Sequence, residues 1–141
     1  MTKIKHCLLI DDDPDDQEIF QMCLNKIAPH ISLTSASNGV EGIHLLQSDT
    51  RYLPEFIFID INMPKMNGLE CLRMIKEIDR LKHSKTFMYS TTAEQNVVKK
   101  SKELGADDFI IKPVKTVELK ERLSQILGID PGISLNNVLT K

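Results

Sequence analysis

A doubly wound α/β fold, with parallel strands covered by helices on both faces, is the class the patterning of this chain predicts, and three observations predict it. Five short apolar runs, at residues 4–10, 31–36, 56–59, 86–89 and 108–111, are rich in β-branched and aromatic residues and read as strands. Longer stretches with helical periodicity separate them. The third run, Phe56-Ile57-Phe58-Ile59, lacks the polar alternation of a strand with one wet face, so it is expected at the centre of the sheet. Parallel strands need crossover helices, and these are right-handed. A flavodoxin-like five-stranded sheet of order 2-1-3-4-5 is the simplest solution.

Each helix has its own signal. Ile19, Phe20, Cys23, Leu24 and Ile27 form an apolar stripe, preceded by Asp13 as a cap, Pro14 at the first helical position, and Asp15 and Asp16 against the helix dipole. Leu69, Leu72, Ile75 and Ile78 form a second stripe. Leu119, Leu123, Ile126 and Leu127 form another, with Gly128 where a helix would stop. Weaker helical stretches occupy residues 40–46 and 93–104. The tail, 129–141, mixes Pro131, Gly132 and Asn136-Asn137 with Ile133, Leu135, Val138 and Leu139, and is expected to be frayed or loosely docked.

At 141 residues, the length suits one domain over 1–128 followed by that tail, with no separate output domain expected. The hydrophobic fraction is 41% and no apolar run approaches the roughly 20 residues of a membrane span, so none is expected. Met1-Thr2-Lys3-Ile4-Lys5-His6 leads directly into a strand, which argues against a signal peptide and for the cytoplasm. A net charge of −2 with scattered basic residues gives no general attraction to polyanions, so direct nucleic-acid binding is not expected. Cys7, Cys23 and Cys71 lie among apolar neighbours and read as reduced, buried thiols. His6, His30, His44 and His83 lack metal-ligand spacing.

In an open α/β sheet, ligands bind beyond the carboxyl ends of the strands. There the chain places Asp11-Asp12-Asp13 after the first strand, Asp60 after the third, Ser90-Thr91 after the fourth and Lys112-Pro113 after the fifth. Helix capping accounts for Asp13 but leaves Asp11 and Asp12 without a purpose. Carboxylates about 5 Å apart repel by roughly 3 kcal/mol per pair at an effective dielectric near 20, so the crowding calls for a cation or a proton. Mg²⁺ suits such a site because it takes few carboxylates, keeps several waters and binds phosphate. The chemistry that follows is phosphoryl transfer, with Asp60 as nucleophile, Lys112 neutralising phosphoryl oxygens and the Ser90 hydroxyl donating to one of them.

These residues sit in longer motifs. Leu8-Leu9-Ile10-Asp11-Asp12-Asp13, Ile59-Asp60-Ile61-Asn62-Met63-Pro64 with Asn67-Gly68, Ser90, Gly105-Ala106, Phe109 and Ile111-Lys112-Pro113 together resemble the receiver domains of two-component response regulators, over nearly all of residues 4–127. The resemblance implies that Asp60 accepts a phosphoryl group from a phosphohistidine of a sensor histidine kinase or histidine phosphotransfer protein. It implies that Asp12 binds Mg²⁺ directly, Asp11 largely through water, and Asn62 through its backbone carbonyl, with Mn²⁺ able to substitute. It also implies a switch pair, Ser90 and Phe109, acting on the surface of the fourth helix, fifth strand and fifth helix, a downstream protein target, and a cis Lys112-Pro113 bond. A monomer or weak homodimer is expected. Ser90 stands where threonine is commoner, Phe109 where tyrosine is, and Thr91 and Thr92 where many relatives have alanine and a varied residue. Phenylalanine has no hydroxyl to hold the ring outside, so the switch is expected to leak.

Three rival readings are weaker. An aspartate-nucleophile phosphatase of the haloacid dehalogenase type needs a second aspartate two positions after the nucleophile, where Asn62 stands, and an amide cannot shuttle a proton. A flavin carrier needs a phosphate-cradling loop after its first strand, where three aspartates would repel the phosphate. A receiver that only binds proteins would not require the full set Asp11, Asp12, Asp60, Ser90 and Lys112.

Overall fold

A computed structural model describes residues 5–129 of the chain. Along it run β1 (Lys5–Ile10), α1 (Pro14–Ile27), β2 (Ile31–Ala36), α2 (Gly39–Ser48), β3 (Phe56–Ile59), α3 (Gly68–Lys76), a short 3-10 turn (Asp79–Leu81), β4 (Lys85–Ser90), α4 (Gln95–Glu103), β5 (Asp108–Ile111) and α5 (Thr116–Leu127). All five strands are parallel, in the order β2-β1-β3-β4-β5, as the alternation predicts. β3 is the middle strand and all four of its residues are buried.

Successive strand residues point to opposite faces, which divides the core in two. Cys7, Leu9, Phe58, Phe87, Tyr89 and Ile110 pack with Phe20, Cys23 and Leu24 of α1 and Leu119 and Leu123 of α5. Leu8, Ile10, Ile57, Ile59 and Met88 pack on the other face with Ile43 and Leu46 of α2 and Cys71, Leu72 and Ile75 of α3. On the first face Phe20 meets Phe58 edge-on at 5.0 Å and Phe87 stacks on Phe58 at 5.1 Å. Each such fully buried side chain contributes about 1.5–3 kcal/mol relative to exposure, so both faces are strongly held. The three cysteines are free and buried in these clusters.

The helix ends follow the chemistry read from the sequence, with few differences. Asp13 caps α1 by accepting from the Asp15 N–H, Pro14 opens the helix, and Gly128 closes α5 at φ 74°. Ile78, expected as the last apolar position of α3, lies beyond it: α3 stops at Lys76, and Ile78 precedes the 3-10 turn, still packed on the second core cluster. α4 begins at Gln95 rather than 93. The expected cis Lys112-Pro113 bond is corrected, since no peptide among the described residues is cis; trans is the isomer that X-Pro bonds favour by about 0.5–1 kcal/mol. Of the tail, Ile129 packs against the first core cluster, and the expectation for 130–141 lies outside the described residues. No described helix is long and apolar enough to cross a membrane.

Candidate functional site

Three backbone hydrogen bonds carry the parallel ladder one step past the strands and set the site residues on one rim. The Asp11 N–H donates to Ala36 O at 3.0 Å, the Asp60 N–H to Ile10 O at 2.9 Å, and the Lys112 N–H to Ser90 O at 2.7 Å. Each residue is thus tied to the carboxyl end of a neighbouring strand, and its side chain is placed by the sheet rather than by a loose loop. Behind Asp60, the turn returns closely enough for the Gly68 N–H to donate to Ile61 O at 2.8 Å.

The structure brings together Asp11, Asp12, Asp60 and Lys112. Carboxylate oxygens of the three aspartates lie within 4.8 Å of one another, with Asp11 and Asp60 buried and Asp12 exposed. The Lys112 ammonium is 2.9 Å from Asp11 Oδ2 and 3.6 Å from Asp60 Oδ2. An open cleft of about 440 Å³ is lined by Asp12, Asp13, Pro14, Asp16, Asp60, Asn62, Thr91 and Lys112. Ser90 is buried at the end of β4, its Oγ accepting a long 3.5 Å hydrogen bond from the Thr92 N–H. Phe109 lies on β5 opposite Met88 and is half-buried against the second core cluster, so Ser90 and Phe109 do occupy adjacent strands.

The electrostatics follow from burial. Removal from water, opposed by Lys112 and reinforced by the neighbouring charges of Asp11 and Asp12, pushes the Asp60 carboxyl up to about 7. Asp11 is also raised, chiefly by burial, while Lys112 and the Asp13 N–H hold it down. Lys112 is raised: burial opposes its charge, but the hydrogen bond to Asp16 and the adjoining carboxylates of Asp11 and Asp60 outweigh that. The residues fit a hard divalent cation. The donor set is all oxygen, and Asp11 Oδ2 is fully buried, with no hydrogen bond among the described residues and an ion pair to Lys112 at 2.9 Å.

Two groups at the site escaped sequence reasoning. Asp16, read only as a helix-dipole residue, accepts a 2.8 Å hydrogen bond from Lys112 Nζ. Gln17 Nε2 donates to Asp11 O at 2.6 Å. Pro14 at the first helical position was the available signal, because it fixes Asp16 in the first turn, where side chains tilt back toward the strand ends.

A family model described as the response regulator receiver domain matches residues 7–124. The chain belongs to that family. This receiver domain is therefore a phosphoacceptor signalling module of two-component systems rather than a true enzyme, and the phosphatase and flavin readings fall away. It is 32% identical over 136 residues to the probable C4-dicarboxylate response regulator DctR of Priestia megaterium, covering 95% of this chain but only 57% of that protein. Among solved structures, the Mn²⁺-bound form of response regulator Rcp1 matches with a TM-score of 0.76 at 26% identity, over 86% of this chain and 91% of that one. The receiver also resembles a chain of the Borrelia burgdorferi CheX–CheY complex with BeF₃ and Mg²⁺, at a TM-score of 0.71 and 25% identity, over 87% of this chain and 89% of that one.

Proposed function

We propose that residues 1–128 form a phosphorylation switch in which Asp60 takes a phosphoryl group from a phosphohistidine of a sensor kinase or phosphotransfer protein in the cytoplasm. The single observation that carries this reading is the meeting of Asp60 with Asp11, Asp12 and Lys112 at one strand-end rim. An Asp60 carboxylate oxygen uses a lone pair to form the new P–O bond while the P–N bond to the donor imidazole breaks. The imidazole nitrogen keeps the electron pair of that bond and takes its proton from solvent. Lys112 places a full positive charge beside the phosphoryl oxygens, where such charge stabilises the transferring group. Ser90 supplies a hydroxyl donor.

Asp11, Asp12, Asp60 and the Asn62 carbonyl would hold a divalent cation, Mg²⁺ or Mn²⁺. When bound, such an ion offsets the carboxylate repulsion and neutralises phosphoryl charge. The Mn²⁺ in the Rcp1 structure and the Mg²⁺ in the Borrelia complex support that choice for this chain. That complex also supports a protein partner for this chain.

The output is read on the surface of α4, β5 and α5. A phosphoryl group on Asp60 draws the Ser90 hydroxyl inward, and the Phe109 ring moves into the space it leaves. One hydrogen bond to a charged group, roughly 1.5–3 kcal/mol, shifts a two-state population by about one to two orders of magnitude. Beryllofluoride with Mg²⁺ should move amide NMR signals most at Ser90, through α4 and around Phe109, and Ser90→Ala should suppress those shifts while Asp60 remains phosphorylatable. Shifts confined to the loops at Asp11 and Asp60, or undiminished in Ser90→Ala, would remove the coupling.

A further inference from the structure

We infer that Asp16 is a positioning residue that holds the Lys112 ammonium off Asp60 and so keeps the Asp60 carboxylate free to attack. The inference rests on the reading of Asp60 as phosphoacceptor. Lys112 Nζ has three N–H groups and a crowded setting. It donates to Asp16 Oδ2 at 2.8 Å, stands 2.9 Å from Asp11 Oδ2 and lies 5.2 Å from the centroid of the Tyr89 ring. Asp60 Oδ2 is at 3.6 Å, beyond hydrogen-bonding range. The nucleophile therefore has the lysine within ion-pair range but is not hydrogen-bonded by it.

Asp16 is suited to this. It is the third residue of α1, whose start is fixed by Pro14 and the Asp13 cap, so the carboxylate is presented from a rigid turn. Its side chain is 29% exposed and Lys112 only 9%, which makes Asp16 the wetter and more dispensable member of the pair for folding. A residue needed only to favour a helix N-terminus would gain as much by facing water. This one reaches a partner 96 positions away. If Asp16 were lost, the nearest carboxylate not already within hydrogen-bonding distance of the ammonium would be Asp60, and a small swing of the lysine stem would close the 3.6 Å gap. The resulting charge-assisted pair would occupy the attacking oxygen and compete with a cation for it.

The test is a double-mutant cycle on the full chain with Asp16→Ala, Lys112→Met and both together, plus Asp16→Glu. Two quantities are measured: the rate of Asp60 phosphorylation by phosphoramidate at saturating Mg²⁺, and the Mg²⁺ affinity of the unphosphorylated chain by calorimetric titration. Asp16→Ala should slow phosphorylation by about tenfold, the scale of one charge-assisted hydrogen bond, and Asp16→Glu should recover most of it. Asp16→Ala should also weaken Mg²⁺ binding more in the chain with Lys112 than in the Lys112→Met chain. The affinity cycle decides the matter even where Lys112→Met is phosphorylated too slowly to time. Unchanged or faster phosphorylation in Asp16→Ala, or an equal loss of Mg²⁺ affinity with and without Lys112, would overturn the inference, the latter being what a simple field or helix-end role gives. A wild-type chain that is not phosphorylated at all would remove the reading of Asp60 itself; a phosphorylated wild type matched by Asp16→Ala removes only the role of Asp16.

Discussion

A β-carbon on Gly68 would lie 2.2 Å from Asp60 O and 2.8 Å from Ile61 Cα, and both are backbone atoms that cannot swing aside. Gly68→Ala must therefore push the start of α3 away from the strand end that presents Asp60. Overpacking of this kind costs about 1–3 kcal/mol. The expected result is a lower urea midpoint together with weaker Mg²⁺ binding; a midpoint and affinity equal to wild type would show that the turn yields freely. At this scale the sequence was only partly legible. Asp11, Asp12, Asp60 and Lys112 could be grouped because each follows a strand, and strand ends converge. The Gly68 contact with Asp60 and the approach of Lys112 to the Tyr89 ring could not, because they depend on tertiary distances that no local pattern encodes; for Asp16 the local signal reached only as far as its place in the first turn of α1.

The segments themselves were far more readable, since the period of burial is written along each one. β2, β3 and β5 begin and end where their apolar runs do. The breaks were harder to read. Nothing local announced the 3-10 turn at Asp79–Leu81, which is held by a contact remote in sequence: the Arg80 guanidinium donates to Leu46 O, and also to Asp49 O at 3.0 Å and Thr50 O at 3.3 Å. These carbonyls lie at the C-terminal end of α2 or just beyond it, where the helix dipole is negative and backbone acceptors lack intrahelical partners. Arg80→Ala should cost about 1–3 kcal/mol, and Arg80→Lys should recover little because an ammonium lacks the planar fork. Urea denaturation with amide exchange in α2 checks this; full recovery by lysine would mean that charge alone is at work.

The whole molecule tolerates a buried acidic pocket, and that tolerance has a pH signature. Asp60 stands at about 7 in the folded chain against an ordinary 3.8, raised first by burial, with Lys112 opposing and Asp11 and Asp12 adding to it. Between those values the folded state keeps a proton that the unfolded state has lost. The metal-free fold is thus favoured by this group at low pH and loses that advantage as pH rises from about 4 to about 7, by on the order of 4 kcal/mol at most. Asp60→Asn removes the group, so its stability advantage over wild type in excess chelator should grow from pH 5 to pH 7. An advantage that stays constant or shrinks would show that Asp60 ionises without penalty. The central claim, that Asp60 is the phosphoacceptor in a site that needs a divalent cation, is tested most directly by intact-mass spectrometry after incubation with a small phosphodonor. The expected result is the added mass of one phosphoryl group, stable to acid and labile to base, formed only with Mg²⁺ or Mn²⁺ and absent from Asp60→Asn; phosphorylation of Asp60→Asn at the wild-type rate and extent, or undiminished phosphorylation in excess chelator, would contradict it.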